Sequence, residues 1–171
     1  MTSSAKRIPY LICPVLLACT GANVWAADPT LTVKTISESG AQQVLVAAEH
    51  EAERLHAPCA IAVVDASGTL VAFLKMDGVR SGSPDLAIGK ARTSALLQRP
   101  SAETEDNVDN GRLAFVTAGL MTLRGGVPLK AGGQVVGAVG IASVNKDNDV
   151  TIAQAAAAAF EALSAKQPSA H

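Results

Sequence analysis

The sequence predicts a single domain of the α/β (α+β) class, in which helices cover both faces of an antiparallel sheet. Helix-like segments alternate with hairpin-like segments along the chain, and hairpins require antiparallel pairing. The strand-like runs are apolar on both faces, so the sheet needs cover on both sides. With 171 residues, of which 49% are hydrophobic, the chain is long enough for a core that needs neither a disulfide nor a metal.

The first helix is predicted over residues 31–56. Thr35 and Glu38 have the spacing of a capping box, in which each side chain accepts a hydrogen bond from the backbone N–H of the other residue. Apolar residues recur along the segment at the spacing of one helical face. Pro58 ends it, because proline cannot continue the hydrogen-bonding pattern of a helix.

A hairpin and a second helix are predicted next. Residues 60–64 are a continuous apolar run, and residues 70–76 alternate in character after a turn at 65–68. This is the pattern of a β-hairpin. Ser83 is predicted to cap the second helix, with Pro84 in its first turn, and the helix ends before the next proline.

The second half of the chain predicts a polar helix, another hairpin and a last helix. Residues 101–111 are polar and acidic and suit a short helix with a loop, whereas the apolar residues 113–122 fit no single pattern. Residues 127–130 and 134–142 flank an Ala-Gly-Gly turn and are predicted to form the second hairpin. The last helix is predicted over residues 150–165, which are rich in alanine.

The first 26 residues have the order of a secretory signal peptide. Lys6 and Arg7 precede an apolar stretch, and small residues stand at the positions that signal peptidase requires for a cut before Ala27. The apolar stretch is too short to span a bilayer well, since a span needs about 20 residues. The sequence therefore predicts a periplasmic or secreted protein.

A lipoprotein signal is the alternative for the same segment. Residues 16–19 resemble a lipobox, in which cleavage after a signal of residues 1–18 would leave an acylated Cys19 at the new N-terminus. The protein would then be anchored to lipid outside the cytoplasm. In either case, the folded domain is predicted over residues 27–165 and a loose tail over residues 166–171.

Removal of residues 1–26 leaves a mildly acidic chain. Loss of Lys6 and Arg7 leaves 12 basic and 15 acidic residues, which is a formal charge of −3. The sequence has no block of Lys or Arg, which argues against a nucleic-acid partner. Cys59 becomes the single cysteine, and its place beside an apolar run predicts a buried thiol that behaves as a small hydrophobic group.

Several short segments are informative as an ordered set. They are Ile61–Asp65, Leu70–Phe73 with Met76-Asp77-Gly78, Ser83 with Ala87, Lys90-Ala91 with Thr93, Arg99-Pro100-Ser101, Gly125-Gly126-Val127-Pro128 and Val135–Gly140. Their order and spacing resemble the GlcG/HbpS family of haem-binding proteins, which includes the C-terminal domain of PduO-type proteins. The resemblance covers about residues 31–165.

This resemblance implies a five-stranded antiparallel sheet between helices, a tendency to form homo-oligomers, and a surface or interface site of the kind that holds haem in some members. Family members are linked to extracellular haem handling, glycolate operons and corrinoid metabolism, so the fold follows more directly than the function. The predicted function is binding of haem or another tetrapyrrole for sequestration, delivery or sensing. The alternatives are an accessory protein or enzyme that acts on a small organic acid such as glycolate, and a structural or sensor-partner oligomer without haem.

The axial ligand of a haem iron is the first site residue to predict. His50 lies on the predicted first helix, and some PduO-type relatives use a histidine from that helix. The family also implies an alternative, because a threonine oxygen serves in at least some members. Thr93, Thr117 and Thr122 are the threonines considered for that role.

Cations for the haem propionates are the second set. Lys90 and Arg124 are the candidate cations, and an arginine side chain suits bidentate carboxylate binding best. Lys90 and the nearby Thr93, which has a hydroxyl group, both match the family pattern. The neighbouring turn could present backbone N–H groups to an anion, so its four residues complete the predicted cofactor site: Gly125, Gly126, Val127 and Pro128.

Catalytic motifs are absent from the sequence. It contains no Gly-x-Ser-x-Gly, His-Glu-x-x-His, Cys-x-x-Cys or phosphate-binding loop motif. The acidic residues between 103 and 109 are interpreted as a solvated loop rather than an ion site. No catalytic residue is assigned, and a binding role is favoured over an enzymatic one.

Overall fold

A computed structural model describes residues 29–166 of the chain. Its elements, in chain order, are α1 (Glu38–Arg54), β1 (Ala60–Asp65), β2 (Leu70–Lys75), α2 (Ser83–Leu97), α3 (Ser101–Asp109), α4 (Ala114–Thr117), β3 (Gly126–Ala131), β4 (Gln134–Ala142) and α5 (Lys146–Lys166). All of them belong to one unit that begins at Val33. The predicted signal segment lies outside the described residues, as do residues 167–171 of the predicted tail.

The four strands form one antiparallel sheet in the order β2-β1-β4-β3. The two central strands, β1 and β4, pair with each other and place Val63 opposite Val139. Each of them also belongs to one of the two predicted hairpins. The antiparallel α+β fold is therefore confirmed. The described residues contain four strands rather than five. The segment before α1 binds the carbonyl of Val136 through the N–H of Ile36 without forming a strand of its own.

Helices cover both faces of this sheet, as the apolar strands require. Helices α1 and α5 pack on one face, where the branched side chains of the strands make the larger core, including Ile61, Val63, Leu129, Val139 and Ile141. Helix α2 packs on the other face against small side chains, chiefly Ala60, Ala62, Ala138 and Ala142. The two cores therefore differ in the size of their side chains, and α2 lies close to the sheet.

Glycines within the strands permit this close approach. A Cβ atom at Gly140 would collide with the carbonyl oxygen of Ala87 and lie 2.5 Å from the backbone nitrogen of Ala91. A Cβ atom at Gly126 would collide with the carbonyl oxygen of Lys90. The glycines are explained by the backbone of α2, with no need for a ligand at these positions.

The start of α1 corrects one prediction. The capping box at Thr35 is wrong, because the N-cap is Ser37, whose Oγ accepts a hydrogen bond from Gly40 N at 3.1 Å. The hydroxyl of Thr35 instead donates to the carbonyl of Val136 at 3.4 Å. A contact with β4, distant in sequence, thus replaces the local cap.

Helices α2 and α5 also begin one or more residues away from the predicted positions. Gly82 is the N-cap of α2, and Ser83 is its first helical residue, with a buried side chain. Helix α5 begins at Lys146, because the side chain of Asn145 accepts a hydrogen bond from Asp147 N at 2.8 Å. An asparagine before the first turn is a common helix start.

Candidate functional site

A groove of about 650 Å³ runs along the outer side of α1 and α5. Its volume lies within the range of sites that hold small molecules and cofactors. Most of its lining is apolar, and much of that apolar surface is exposed, with Val46 at 65% and Leu163 at 43% of full exposure. Alanines of α5, whose small side chains leave the groove shallow and wide, form part of the opposite wall, at positions 155 and 159.

His50 projects from α1 into the wall of this groove. Its side chain makes no hydrogen bond to any residue between 29 and 166. The neighbouring carboxylate of Glu51 is held by Arg54, with Oε1 and Nη2 2.6 Å apart. The hydrogen bond from Arg54 lowers the pKa of Glu51 below its ordinary value. His50 therefore offers an imidazole with no hydrogen bond in a mostly apolar groove, and the carboxylate that lines this groove is already paired with Arg54.

A second cavity, of about 880 Å³, lies at the N-terminal end of α1 and the C-terminal end of α5. It shares Gln43 and Leu163 with the first groove, so the two spaces adjoin. Its lining is more polar and contains the side chains of Lys34, Lys130 and Glu161. We call the first space the α1–α5 groove and the second the lysine cavity.

Lys90 lies on α2 with only 3% of its surface exposed. Its Nζ atom is 2.7 Å from Asp149 Oδ2 and 2.8 Å from the carbonyl oxygen of Ile141. The other carboxylate oxygen of Asp149 accepts hydrogen bonds from both the N–H and the hydroxyl of Ser143, at 2.7 and 2.6 Å. This buried network joins α2, the end of β4 and the first turn of α5.

The predicted threonine ligands are engaged within the fold or in a short helix. Thr93 is buried, and its Oγ1 accepts a hydrogen bond from Met121 N at 3.0 Å. The hydroxyl of Thr117 donates to the carbonyl of Ala114 within α4. Thr122 is half-buried in the loop that follows α4.

Arg124 lies beside two carboxylates of α3. It forms ion pairs with Glu105 and with Asp106, the latter at 3.1 Å. The hydrogen bond to Glu105 raises the pKa of the Arg124 guanidinium above its ordinary value. The charge of Arg124 is thus balanced within the chain, and part of the predicted acidic loop is the partner of this arginine.

The glycine turn that follows Arg124 packs against buried residues of the domain. Gly125 has φ of 112°, and a Cβ atom there would lie 2.8 Å from that of Asp149. The N–H of Gly126 donates to Ser101 Oγ at 2.9 Å. Val127 and Pro128 belong to β3. The first two residues of the turn therefore cover the Lys90–Asp149 pair and pack against the backbone of α2.

The structure does not bring the predicted site residues together. His50 lines the α1–α5 groove, whereas Lys90, Thr93, Arg124 and the turn 125–128 line neither the groove nor the lysine cavity. Their assignment to a cofactor stays a prediction. The residues that line the lysine cavity cannot be identified from the sequence, because nothing in their local pattern links Lys34 with Lys130, 96 positions later in the chain.

Cys59 is buried, as predicted. Burial raises the pKa of its thiol to about 12, with the nearby negative charges of Asp149 and Glu49 adding to the effect. Between residues 29 and 166 no group of three or more His, Cys, Asp or Glu side chains is placed to hold a metal ion. No helix in this range is long and apolar enough to cross a membrane.

Curated relatives share this sequence over most of the folded region. GlcG of Escherichia coli K12 is 41% identical over 107 residues, which are 62% of this chain and 80% of that protein. The corrinoid adenosyltransferase PduO of Salmonella typhimurium is 30% identical over 123 residues, which are 69% of this chain but only 37% of PduO. The similarity to PduO thus concerns little more than a third of that enzyme.

Solved structures share the fold. The Klebsiella pneumoniae protein ORFY superimposes with a TM-score of 0.74 at 28% identity, over 79% of this chain and 97% of ORFY. A PduOC complex with haem gives 0.67 at 29% identity, over 73% and 94% of the two chains. HbpS gives 0.71 at 27% identity, over 76% and 93%.

A sequence model of one family matches the chain from residue 36 to residue 158. The family is described as "Haem degrading protein HbpS-like". The matched range starts just before α1 and ends within α5, so it includes all four strands, α1, α2 and the first part of α5. Because the match spans more than half of the chain, this protein belongs to the HbpS-like family.

Proposed function

We propose that this protein is an exported, oligomeric haem-binding protein that sequesters, delivers or senses haem. The α1–α5 groove is the observation that carries the proposal, because an unpaired imidazole lies there within an apolar surface. A protein site for haem needs an axial donor and an apolar surround. Two of the comparisons add support. The similar PduOC structure is a complex with haem, and the family is described as "Haem degrading protein HbpS-like".

The residues of the groove fit a flat apolar ring with a central metal. His50 would supply the axial nitrogen, and Val46, Ala47 and Leu163 would cover part of the macrocycle. Haem would contribute an iron that accepts this nitrogen. Glu51, the one carboxylate among the residues that line the groove, is held by Arg54. A single histidine in an open groove would hold haem weakly.

The His50→Ala variant is expected to weaken haemin binding by more than about tenfold, because it removes the axial donor and leaves only apolar contacts. The measurement is a haemin titration of the purified protein, followed in the Soret region. His56→Asn is the matched control. His56 is exposed at the end of the first helix, outside the groove, and its φ of 48° is one that asparagine tolerates.

The titration has three possible outcomes, which test haem binding and the role of His50. A saturable Soret shift in the parent and in His56→Asn, lost in His50→Ala, supports haem binding through His50. A shift that persists unchanged in His50→Ala supports haem binding but moves the axial ligand to another donor, such as a threonine oxygen. The absence of a saturable shift in the parent protein contradicts the proposed function and favours the alternative of a small organic acid ligand.

Export and assembly are expected to be visible together in the mass of the protein recovered from its native host. Denaturing mass spectrometry should give a chain that begins at Ala27, and native mass spectrometry should give a multiple of that mass. Exposed apolar side chains support assembly, such as Leu113 at 61% exposure, since such surfaces often mark interfaces. An uncleaved monomer would contradict both parts, and an acylated Cys19 would select the lipoprotein route.

A further inference from the structure

We infer that Lys34 and Lys130 bind the propionate groups of the haem, an inference that rests on the proposed function and extends its site. The lysine cavity adjoins the α1–α5 groove, with Gln43 and Leu163 at their common border. The surface changes along this path from apolar, around His50, to polar, around the two lysines. Haem has the same arrangement, with an apolar ring and two carboxylates on one edge.

The main chain places both lysines beside the same end of β4. Thr35 and Ile36, the residues that follow Lys34, both donate hydrogen bonds to the carbonyl of Val136, at 3.4 and 2.8 Å. Lys130 lies opposite Val135 in the β3–β4 ladder. The two side chains therefore start from backbone anchored to consecutive residues of one strand. Both residues are exposed and both line the cavity.

The charges in the chain favour these lysines over the cations predicted from sequence. Lys90 is buried against Asp149, and Arg124 is paired with two carboxylates of α3. Lys34 and Lys130 have no ion pair with any residue between 29 and 166. Glu161 is the one carboxylate among the residues that line the lysine cavity. Two ammonium groups against one carboxylate leave a net positive charge for an anionic ligand.

The separation along α1 suits a single ligand that spans both spaces. His50 and Gln43 are seven residues apart, and a helix rises about 1.5 Å per residue, so about 10 Å separates them along the axis. The border of the lysine cavity thus lies within one porphyrin half-width and a propionate arm of the imidazole. Both lysines line the cavity beyond this border, on long and flexible side chains.

The test compares two double variants with two ligands. Lys34→Gln with Lys130→Gln removes the proposed anchors. Lys75→Gln with Lys146→Gln removes the same charge from exposed positions that line neither space. Each protein is titrated with haemin and with haemin dimethyl ester, whose propionates carry no charge. The first double variant is expected to bind haemin about tenfold more weakly than the parent, while its affinity for the ester equals that of the parent.

Three results would overturn the inference, and they separate it from the proposed function. Unchanged haemin affinity in the first double variant, with loss in His50→Ala, refutes the lysine anchors and leaves haem binding in place. Equal weakening for haemin and its ester, or equal weakening in the control variant, shows an effect unrelated to the propionates. A parent protein that binds neither ligand refutes the function and the anchors together.

Discussion

The Asp149→Asn variant is expected to lose about 3–5 kcal/mol of the free energy of unfolding, because it leaves the buried charge of Lys90 without a carboxylate. Asparagine has nearly the same shape, and its oxygen can still accept from the N–H of Ser143. Its amide group would then face the Lys90 ammonium, so two donors would meet where a donor now meets an acceptor. The measurement is urea unfolding followed by circular dichroism at one fixed protein concentration.

Further variants, including Lys90→Met alone, distinguish the stability contributed by the buried pair from that of an exposed ion pair. Glu51→Gln breaks the pair with Arg54, whose side chain is 59% exposed, and should leave the urea midpoint close to that of the parent, because solvent screens an exposed ion pair. Lys90→Met combined with Asp149→Asn removes the buried charge as well as its partner. This double variant should be more stable than the sum of its single variants predicts. Simple additivity would contradict the proposed coupling.

The Gly140→Ala variant is expected to destabilise the protein by about 3 kcal/mol, because a single methyl group would push α2 away from the sheet. Its Cβ atom meets main-chain atoms of Ala87 and Ala91, which cannot rotate aside as a side chain can. A shift of α2 would also strain the nearby contact between Gly126 and the backbone of Lys90. Thermal and urea unfolding, again followed by circular dichroism, measure the loss.

Gly82→Ala is the matched control for this prediction. Gly82 has φ of −82° and no heavy atom within 4 Å of a built Cβ, so alanine fits there without strain. An N-cap favours glycine over alanine, whereas alanine lowers the entropy of the unfolded chain, so the stability should stay within about 1 kcal/mol of the parent. If Gly140→Ala is as stable as Gly82→Ala, then α2 does not approach the sheet as closely as described, and the explanation of the strand glycines fails.

Most of the secondary structure could be predicted because its causes are local. The apolar run of β1 and the alternation of β2 are visible within a few residues, and so are the glycine turns of both hairpins. The cap of α1 could not be predicted in the same way. Thr35 and Val136 are 101 positions apart, so the hydrogen bond that engages the Thr35 hydroxyl away from the helix start cannot be read from neighbouring residues.

The candidate site likewise contains one residue that could be predicted from the sequence and others that could not. His50 could be proposed from the sequence because a family resemblance pointed to a histidine on the first helix. The partner of Lys90 could not, since Asp149 is 59 positions away and lies in a different helix. Lys90 suits a propionate by its chemistry alone, but in the structure it forms an internal ion pair with Asp149. The exposed Lys34 and Lys130 are therefore the residues proposed to bind the propionates.

The sequence by itself determined the fold class, the order of elements and the membership of the family, because periodicity, turn residues and ordered motifs are properties of neighbouring positions. The tertiary structure alone decided which charges are already paired, which glycines face a helix backbone and which surfaces join into one groove. Those properties depend on distances between residues far apart in the chain. Packing sets such distances, and no local pattern encodes them.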